Sequence, residues 1–433
     1  MKILVVGSGG REHALIKGIL KNPAVTEIYA LPGNGGIAKE PKVTCVPIGA
    51  EEVLAVDVFA GSVEGLELAV IGPDDPLAMG LADLLRKRGI PCFGPSMDGA
   101  RLESSKVFAK EFMQRHNIPT ARFSVFSSVE KALSHVKQAP LPLVVKADGL
   151  AKGKGVVVAK TRKTAMAAVL DSLENKVFGK SGERILIEEC LEGPEVSVLA
   201  FCDGKTLIPM VSSMDHKAAL NGDEGPNTGG MGVVAPNPFY DEKIAAICWD
   251  TIFKPTLEGL QKEGISYQGC LYFGLMLTKD GPKVIEYNCR FGDPEAQAVL
   301  PLLQSDLLSV LMATAQGKLS EATVSFAKQA SCCVVLASKG YPGKLENQGA
   351  VILVPEEKPG VIAYHAGTKL EKDGLTARGG RVLGITAVAD TLEQAVSKAY
   401  AAVPDYLFYE AHYRTDIGKT ALAYLTASRE GEE

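Results

Sequence analysis

The chain has 433 residues, 46% of them hydrophobic and 22% charged, with a formal net charge of −5. That length suits roughly three ordinary globular domains, and the acidic balance excludes a generally basic nucleic-acid or anionic-membrane surface, so any positive field must be local. Nine cysteines form no C-x-x-C pair, and two of them, Cys332 and Cys333, sit side by side in an apolar strand; this argues against a zinc site or disulfide framework and for a reducing compartment.

Residues 3–6 are a short apolar run of buried-strand type, too short for a secretion signal. No apolar run approaches membrane-spanning length, so the expected location is the cytoplasm. Gly7-Ser8-Gly9-Gly10 follows, then a helix-spaced segment at 11–20. Strand, glycine turn and helix open a doubly wound α/β domain. The pattern recurs, with a strand at 27–31 before Pro32-Gly33-Asn34-Gly35-Gly36 and another at 68–71 before Gly72-Pro73-Asp74-Asp75-Pro76. A helix at 77–88 and a strand at 90–93 complete it. These turns follow the carboxyl ends of strands, where open parallel sheets bind ligands. In the first turn the third glycine of a dinucleotide G-x-G-x-x-G falls at Glu12, and the second strand ends without an acid for a ribose, so a dinucleotide reading is poor. Close backbone approach at Gly7, Gly9 and Gly10, with Arg11 beside a helix N-terminus, suits a single phosphate. A tight strand-to-helix turn without a ligand fits equally well.

A helix is expected at 102–116, with Phe108 and Phe112 at i, i+4 and Lys106 near its start. The strand at 143–146 ends in Lys146 and leads into Ala147-Asp148-Gly149-Leu150-Ala151-Lys152-Gly153-Lys154-Gly155, with a strand at 156–159 beyond. Such a loop can fold over phosphates with backbone N–H groups and ammonium charge. It is not a Walker loop, since no Lys-Ser/Thr ends it and no helix follows. A bare hairpin tip would leave Lys146 as an unpartnered charge at the end of an apolar strand. Strands at 184–187 and 196–201 bracket the linker 188–195. Its backbone can pair with an adenine as one strand pairs with another, and Glu195 can accept from ribose hydroxyls; read alone it is an acidic turn. Met214-Asp215-His216-Lys217 and Pro226-Asn227-Thr228-Gly229-Gly230-Met231-Gly232 come next. The glycine run has polar neighbours and no repeat, which fits backbone approach to a ligand better than a linker. His216 reads as easily as an ordinary surface histidine.

A helix at 244–262 places Trp249 in its apolar stripe, hence in the core. The strand at 269–278 turns at Lys279-Asp280-Gly281-Pro282, a D-G hairpin signal, into VIEYNCRFGDPEAQ at 284–297. Alternation sets Glu286, Asn288 and Arg290 on one strand face. The Glu286 carboxylate and the Asn288 carbonyl are hard oxygen ligands for Mg²⁺, and Arg290 is a fork for phosphate oxygens. Gly292 and Pro294 break the strand and set Asp293 and Glu295 on a turn beside it. The alternative is a solvated polar face, which would more often carry Lys, Glu or Thr. A helix at 301–316 follows. Strands at 331–337, 351–354, 361–365 and 380–389 with a helix at 392–403 make a closing α+β unit, in which Gly379-Gly380-Arg381 marks another site of backbone approach.

The run Arg290-Phe291-Gly292-Asp293-Pro294-Glu295 resembles the signature segment of the glycinamide ribonucleotide synthetases, or phosphoribosylamine–glycine ligases, within the ATP-grasp superfamily. The similarity extends in order over essentially the whole chain, through VVGSGGREHAL, KADGLAKGKGV, DHK, PNTGGMG, the signature and HAGTKL. It implies an α/β and α+β multidomain fold: a doubly wound N-terminal domain (1–101), an ATP-grasp core of a central domain (102–121 and 192–327) and a lid subdomain (122–191), and a small α+β C-terminal domain (328–433). It implies ATP held at Lys106, Lys146, Lys152, Gly153, Gly155, Glu188, Glu189, Leu191 and Glu195, and Mg²⁺ (or Mn²⁺) at Glu286 and Asn288. Arg290, Asp293 and Lys146 are the implied catalytic residues. The implied substrates, glycine and 5-phosphoribosylamine, would meet Gly9, Gly10, Arg11, Asp215, His216, Lys217, Thr228, Gly229, Gly230, Asp293, Pro294 and Glu295. The reaction would pass through an acyl phosphate that must be kept from water, which gives the loop 149–155 a purpose as a lid. A monomer without nucleic-acid or membrane partners is expected. One departure concerns the strand 270–278, which lacks the acidic ligand that many members of the superfamily carry there, leaving the number of metal ions open.

Overall fold

The computed structural model describes residues 1–151, 155–356 and 358–430. Lys2–Gly7 is the centre of a five-stranded parallel sheet, with Glu27–Pro32 and then Val43–Cys45 on one side and Leu66–Ile71 and then Cys92–Phe93 on the other. Alternation explains the unbroken apolar sequence of its central strand. Ile3 and Val5 enter one core with the helix Gly10–Ile19; Leu4 and Val6 enter another with the helices Val53–Ser62 and Leu81–Lys87. A parallel sheet covered on both faces is the doubly wound arrangement. The helix expected at 77–88 is two, Asp74–Ala78 and Leu81–Lys87, parted at Gly80.

Two four-stranded antiparallel sheets follow. The first is ordered Leu207–Pro209, Glu195–Cys202, Gly269–Thr278, Gly281–Asn288. The second is ordered Phe123–Phe126, Ile185–Glu189, Leu143–Ala147, Val156–Ala159 and packs the helices Val129–Gln138 and Arg162–Leu173 over Ala132, Val136, Val145, Ala165, Val169 and Ile187. The helix Lys106–Arg115 touches a strand of each sheet. The expected single helix at 102–116 is broken at Ser105, which is extended (φ −136°, ψ 107°) and whose hydroxyl accepts from the Phe108 N–H. A fresh helix therefore starts at Lys106, after Met97–Ser104.

Ala330–Ala337, buried along its whole length, is the middle strand of a five-stranded antiparallel sheet. The order is Met214–Asp215, Gly232–Ala235, Ala330–Ala337, Arg381–Ala389, Val361–His365, and the helix Leu392–Ala402 lies against it. Its first two strands come from the stretch that the sequence groups with the central domain. All nine cysteines are free thiols, and Cys332 and Cys333 are buried in this sheet. Three expectations are corrected. Between Glu242–Cys248 and Lys254–Lys262 lies a π turn, Trp249–Phe253; it buries Cys248, Ile252 and Phe253 and leaves Trp249 39% exposed rather than in the core. The helix expected from 301 begins at Leu307, where Asp306 caps the Ser309 N–H, and runs to Ala315. The strand expected at 351–354 stops at Ile352, with Leu353 turned to solvent. Among the described residues no helix is long and apolar enough to cross a membrane.

Candidate active site

Strict alternation would put Val284 on the same face as Glu286. The ladder avoids this with a bulge: Leu275 pairs with Val284 and Gly274 with Glu286, so Ile285 is the extra residue. Val284, Tyr287 and Cys289 all enter the central core as a result, while Glu286, Asn288 and Arg290 share the opposite face. Asn288 Oδ1 accepts from Arg290 Nη2 at 3.2 Å. Arg290 also pairs with Glu103 at 2.9 Å, and the other oxygen of Glu103 accepts the Cys289 N–H at 2.6 Å. Burial pushes the Glu103 carboxyl up to about 7, with Arg290 opposing. Glu286 is different. Burial works against its charge, yet Lys217, Lys146, Lys106 and Arg290 hold its carboxyl below the ordinary value. No hydrogen bond holds it among the described residues.

Two lysines reach this face from separate elements. Lys106, at the start of its helix, donates to the Gly149 carbonyl at 3.2 Å. Asp148 fastens that helix to the second sheet by accepting the Val107 N–H at 2.9 Å and the Ser105 hydroxyl at 2.8 Å, and it pairs with Arg184 at 2.6 Å. Lys146 is 4% exposed and donates to the bulge carbonyl of Ile285 at 3.3 Å. Its charge has a protein partner, Glu188 Oε2 at 2.9 Å. Lys110 shares the same oxygen at 3.2 Å, and burial pushes its ammonium down to about 8. Gly155 closes the mouth of the loop against Ala147 and Ala151; Lys152 and Gly153 lie outside the described residues.

Beyond Arg290 the chain turns, and the turn meets both outer domains. Asp293 Oδ2 accepts the Arg11 N–H at 3.3 Å, Oδ1 accepts from Gln297 at 2.7 Å, and Arg381 lies 3.5 Å away. Burial favours the neutral acid, but Arg381 and Arg11 hold the Asp293 carboxyl below its ordinary value. The approach is close enough that a Cβ on Gly9 would lie 2.7 Å from Asp293 Oδ2. Arg381 also donates to the carbonyl of Gly229 at 2.6 Å. Gly230 takes φ +118°, and a Cβ there would meet Pro294 and lie 2.7 Å from Asp215 Oδ1, so this corner needs glycine on both counts. Thr228 braces it, donating to the Lys217 carbonyl and accepting the Gly230 N–H, both at 2.9 Å. Two acids, the half-buried Asp215 and the buried Glu295, lie near enough here to influence each other. Glu295 accepts the Tyr272 hydroxyl at 2.8 Å, whereas Asp215 Oδ1 has no hydrogen-bond partner among the described residues. Burial, then the Glu295 charge, pushes the Asp215 carboxyl well up.

Some expected site residues are committed elsewhere. His216 is buried, with Nδ1 3.2 Å from the Gly232 carbonyl and Nε2 accepting the Gly418 N–H at 3.2 Å. It thereby ties its stretch of chain to the C-terminal segment, and its burial corrects the surface reading. The Arg11 guanidinium is taken by Glu12 at 2.6 Å and the Phe291 carbonyl at 3.1 Å, so it ties two domains together instead of presenting a free fork. Glu12 in turn accepts the Gly9 N–H, which fills part of the cradle that the glycine turn would offer an anion and leaves Gly10 beside Asp293 and Gln297. Glu195 is exposed and pairs with Lys217 at 2.9 Å; Glu189 pairs with Arg122 at 2.7 Å on the rim of the linker that contains the half-buried Leu191. Sequence reasoning misses Lys110, Glu103 and Tyr272, and it marks Arg381 only as part of a backbone-approach run, without its side-chain contacts. The available signal was spacing: Lys110 is one helical turn beyond Lys106, and Glu103 lies one turn before it.

Two antiparallel sheets bridged by a lysine-bearing helix, meeting around a cationic face with an acid and an amide at its floor, define an ATP-grasp protein. Profiles of the phosphoribosylglycinamide synthetase family match in three blocks: the N domain over residues 1–103, the ATP-grasp (A) domain over 104–296 and the C domain over 331–420. The phosphoribosylamine–glycine ligase of Allochromatium vinosum is 46% identical over 426 residues, which are 98% of this chain and 99% of that protein. The trifunctional purine biosynthetic protein adenosine-3 of Gallus gallus is 45% identical over 431 residues; the match takes in 99% of this chain but only 43% of that relative's length. The crystal structure of the phosphoribosylamine–glycine ligase of Thermotoga maritima superposes with a TM-score of 0.84 at 33% identity, covering 96% of this chain and 100% of that one. This chain belongs to the phosphoribosylamine–glycine ligase family.

Proposed function

We propose that this chain ligates glycine to 5-phosphoribosylamine using ATP, through a glycyl phosphate, to give N1-(5-phosphoribosyl)glycinamide, ADP and phosphate, the second step of de novo purine biosynthesis. The observation that carries the reading is the position of the turn Arg290 to Glu295. It separates a cationic face from the acid pair Asp215 and Glu295 and touches the glycine turn of the first sheet and Arg381 of the last.

Each half suits one part of the reaction. Lys106, Lys146 and Arg290 surround Glu286 with positive charge and would offset the negative charge of ATP phosphates during transfer. The linker at Glu188 to Leu191 takes the adenine, and Glu195 takes the ribose. Glu286 supplies a carboxylate with no hydrogen-bond donor among the described residues, and Asn288 supplies an amide oxygen. One carboxylate plus a neutral oxygen, completed by phosphate and water, is a usual shell for Mg²⁺ beside phosphates, so these residues fit it, and Mn²⁺ equally. When bound, the ion supplies charge stabilisation to the phosphoryl group. On the far side, Asp215 and Glu295 form no ion pair among the described residues and would take the glycine ammonium. Lys217, Thr228 to Gly230 and Asp293 with Pro294 line the same side, and Gly9, Gly10 and the Arg11 backbone take the ribose phosphate end. The glycine carboxylate attacks the γ-phosphorus and ADP leaves. The phosphoribosylamine nitrogen then attacks the acyl carbon, and phosphate leaves. Attack by a neutral amine on an acyl phosphate needs no strong base, which agrees with His216 being committed elsewhere. In this reading 122–191 closes as a lid over 102–121 and 192–327, with 1–101 and 328–433 completing the amine side, and the enzyme works as a cytoplasmic monomer.

The test is ADP formation with phosphoribosylamine across a range of Mg²⁺ concentrations, with glycine and then with formate or bicarbonate in its place. Turnover confined to glycine supports the proposal; no ADP with glycine overturns it.

A further inference from the structure

Lys110 belongs to no ligand contact named so far, yet it is 2% exposed and carries an ammonium group into the protein interior. Its surroundings form a closed ring. Lys110 Nζ donates to Thr120 Oγ1 at 2.7 Å, and the Thr120 hydroxyl donates to the Val284 carbonyl at 2.6 Å. On its other side Lys110 Nζ lies 3.2 Å from Glu188 Oε2, which is 2.9 Å from Lys146 Nζ, which donates to the Ile285 carbonyl at 3.3 Å. Val284 and Ile285 are neighbours at the bulge, so the ring closes on the strand that carries Glu286 and Asn288. It ties together the helix Lys106–Arg115, the strands Leu143–Ala147 and Ile185–Glu189 of one sheet and the strand Gly281–Asn288 of the other.

We propose that Lys110 is a positioning residue for the nucleotide site: by sharing Glu188 with Lys146, it leaves Lys146 charge to spare for a phosphate and fixes the lid sheet in register with the Glu286–Asn288 strand. The proposal rests on the nucleotide half of the reading above. Its physical basis is charge count. Two ammonium groups on one carboxylate oxygen leave the trio at +1 in a region closed to water, where that surplus acts over a distance. Without Lys110 the Glu188 carboxylate would cancel Lys146 alone, and the trio would be neutral. Glu189 is a further charged neighbour of Lys110, and the Phe123 ring lies 6.0 Å away. Helix stability alone would not require a lysine here, since an apolar side chain would fill the space without the cost of burying charge.

The test is the affinity of the full chain for ADP, measured by calorimetry from pH 7 to 9.5. ADP binding needs neither glycine nor phosphoribosylamine, so the result stands apart from whether glycine supports turnover. Lys110→Met should bind ADP about tenfold more weakly at pH 7. Wild-type affinity should fall as the pH passes about 8, where Lys110 loses its proton, whereas the variant should lack that step. Thr120→Val keeps the lysine but removes one acceptor of its charged form, so the step should move to lower pH; this variant decides the matter if Lys110→Met does not fold. A Lys110→Met protein with wild-type ADP affinity, or a Thr120→Val protein with an unmoved step, overturns the proposal.

Discussion

Glu188→Gln keeps the shape of the side chain and removes the carboxylate that lies between two buried lysines. In the native chain its Oε2 is 2.9 Å from Lys146 and 3.2 Å from Lys110. Without that charge the easier escape is for one ammonium to lose its proton, and Lys110, already pushed down to about 8, gives way first. Driving its pKa below 7 costs about 1.4 kcal/mol at pH 7. Lys146 loses its carboxylate as well, so the total should be near the lower end for breaking a buried pair, about 3 kcal/mol. The pH dependence has a definite sign. The folded-state pKa of Lys110 lies below its unfolded value, so between them the unfolded chain binds more protons and stability rises with pH, in the native chain from about 8 upwards. In the variant this window opens lower. At pH 9 Lys110 is mostly neutral in both proteins, and the deficit should shrink by about 1.4 kcal/mol relative to pH 7. Denaturant midpoints of the two proteins at pH 7 and pH 9, followed with a probe in the lid sheet, measure this. An equal deficit at both pH values, or none at either, refutes the buried-triad reasoning.

Lys146→Ala should leave the fold intact while weakening ADP binding by about tenfold or more and nearly abolishing turnover; calorimetry with a thermal melt checks both parts. Glu286→Gln and Asn288→Leu should each raise the Mg²⁺ concentration needed for half-maximal ADP formation, and a wild-type metal dependence would return that strand to an ordinary polar face. Asp293→Asn should act mainly on the KM for glycine or phosphoribosylamine, with the metal dependence unmoved, as steady-state kinetics would show. Gly230→Ala forces a side chain onto a backbone at φ +118° and against Pro294 and Asp215, so a loss of about 1–3 kcal/mol is expected in thermal or denaturant unfolding, together with weaker use of glycine.

The sequence made the doubly wound domain legible because its central strand is short, apolar and buried beyond Lys2, and the strands Lys2–Gly7, Glu27–Pro32 and Leu66–Ile71 each run into a glycine turn, so apolar runs and turn chemistry agree. The signature face was legible for the same reason: Glu286, Asn288 and Arg290 alternate with core residues. What alternation could not reveal is the bulge at Ile285, which brings Val284 into the core and points a carbonyl at Lys146. Nor could it reveal partners distant in sequence. Lys146 looked as though it required a ligand to justify its burial; the structure supplies Glu188, and beyond it Lys110. The break at Ser105 was hidden for the same reason: Asp148, which accepts the Ser105 hydroxyl and the Val107 N–H, lies 43 positions from Ser105. His216 shows the opposite failure, a polar residue inside a glycine-rich, ligand-like neighbourhood whose nitrogens are both used to hold the fold together.

The sheet built on Ala330–Ala337 is not made from one continuous length of chain. Two of its strands, Met214–Asp215 and Gly232–Ala235, come from far upstream, and Gly232–Ala235 pairs with Ser331 to Val334 along one side of the buried middle strand. A fragment starting near residue 328 would present the buried run Ser331 to Val334 as an open apolar edge with unpaired N–H and C=O groups, the kind of edge that recruits a second copy.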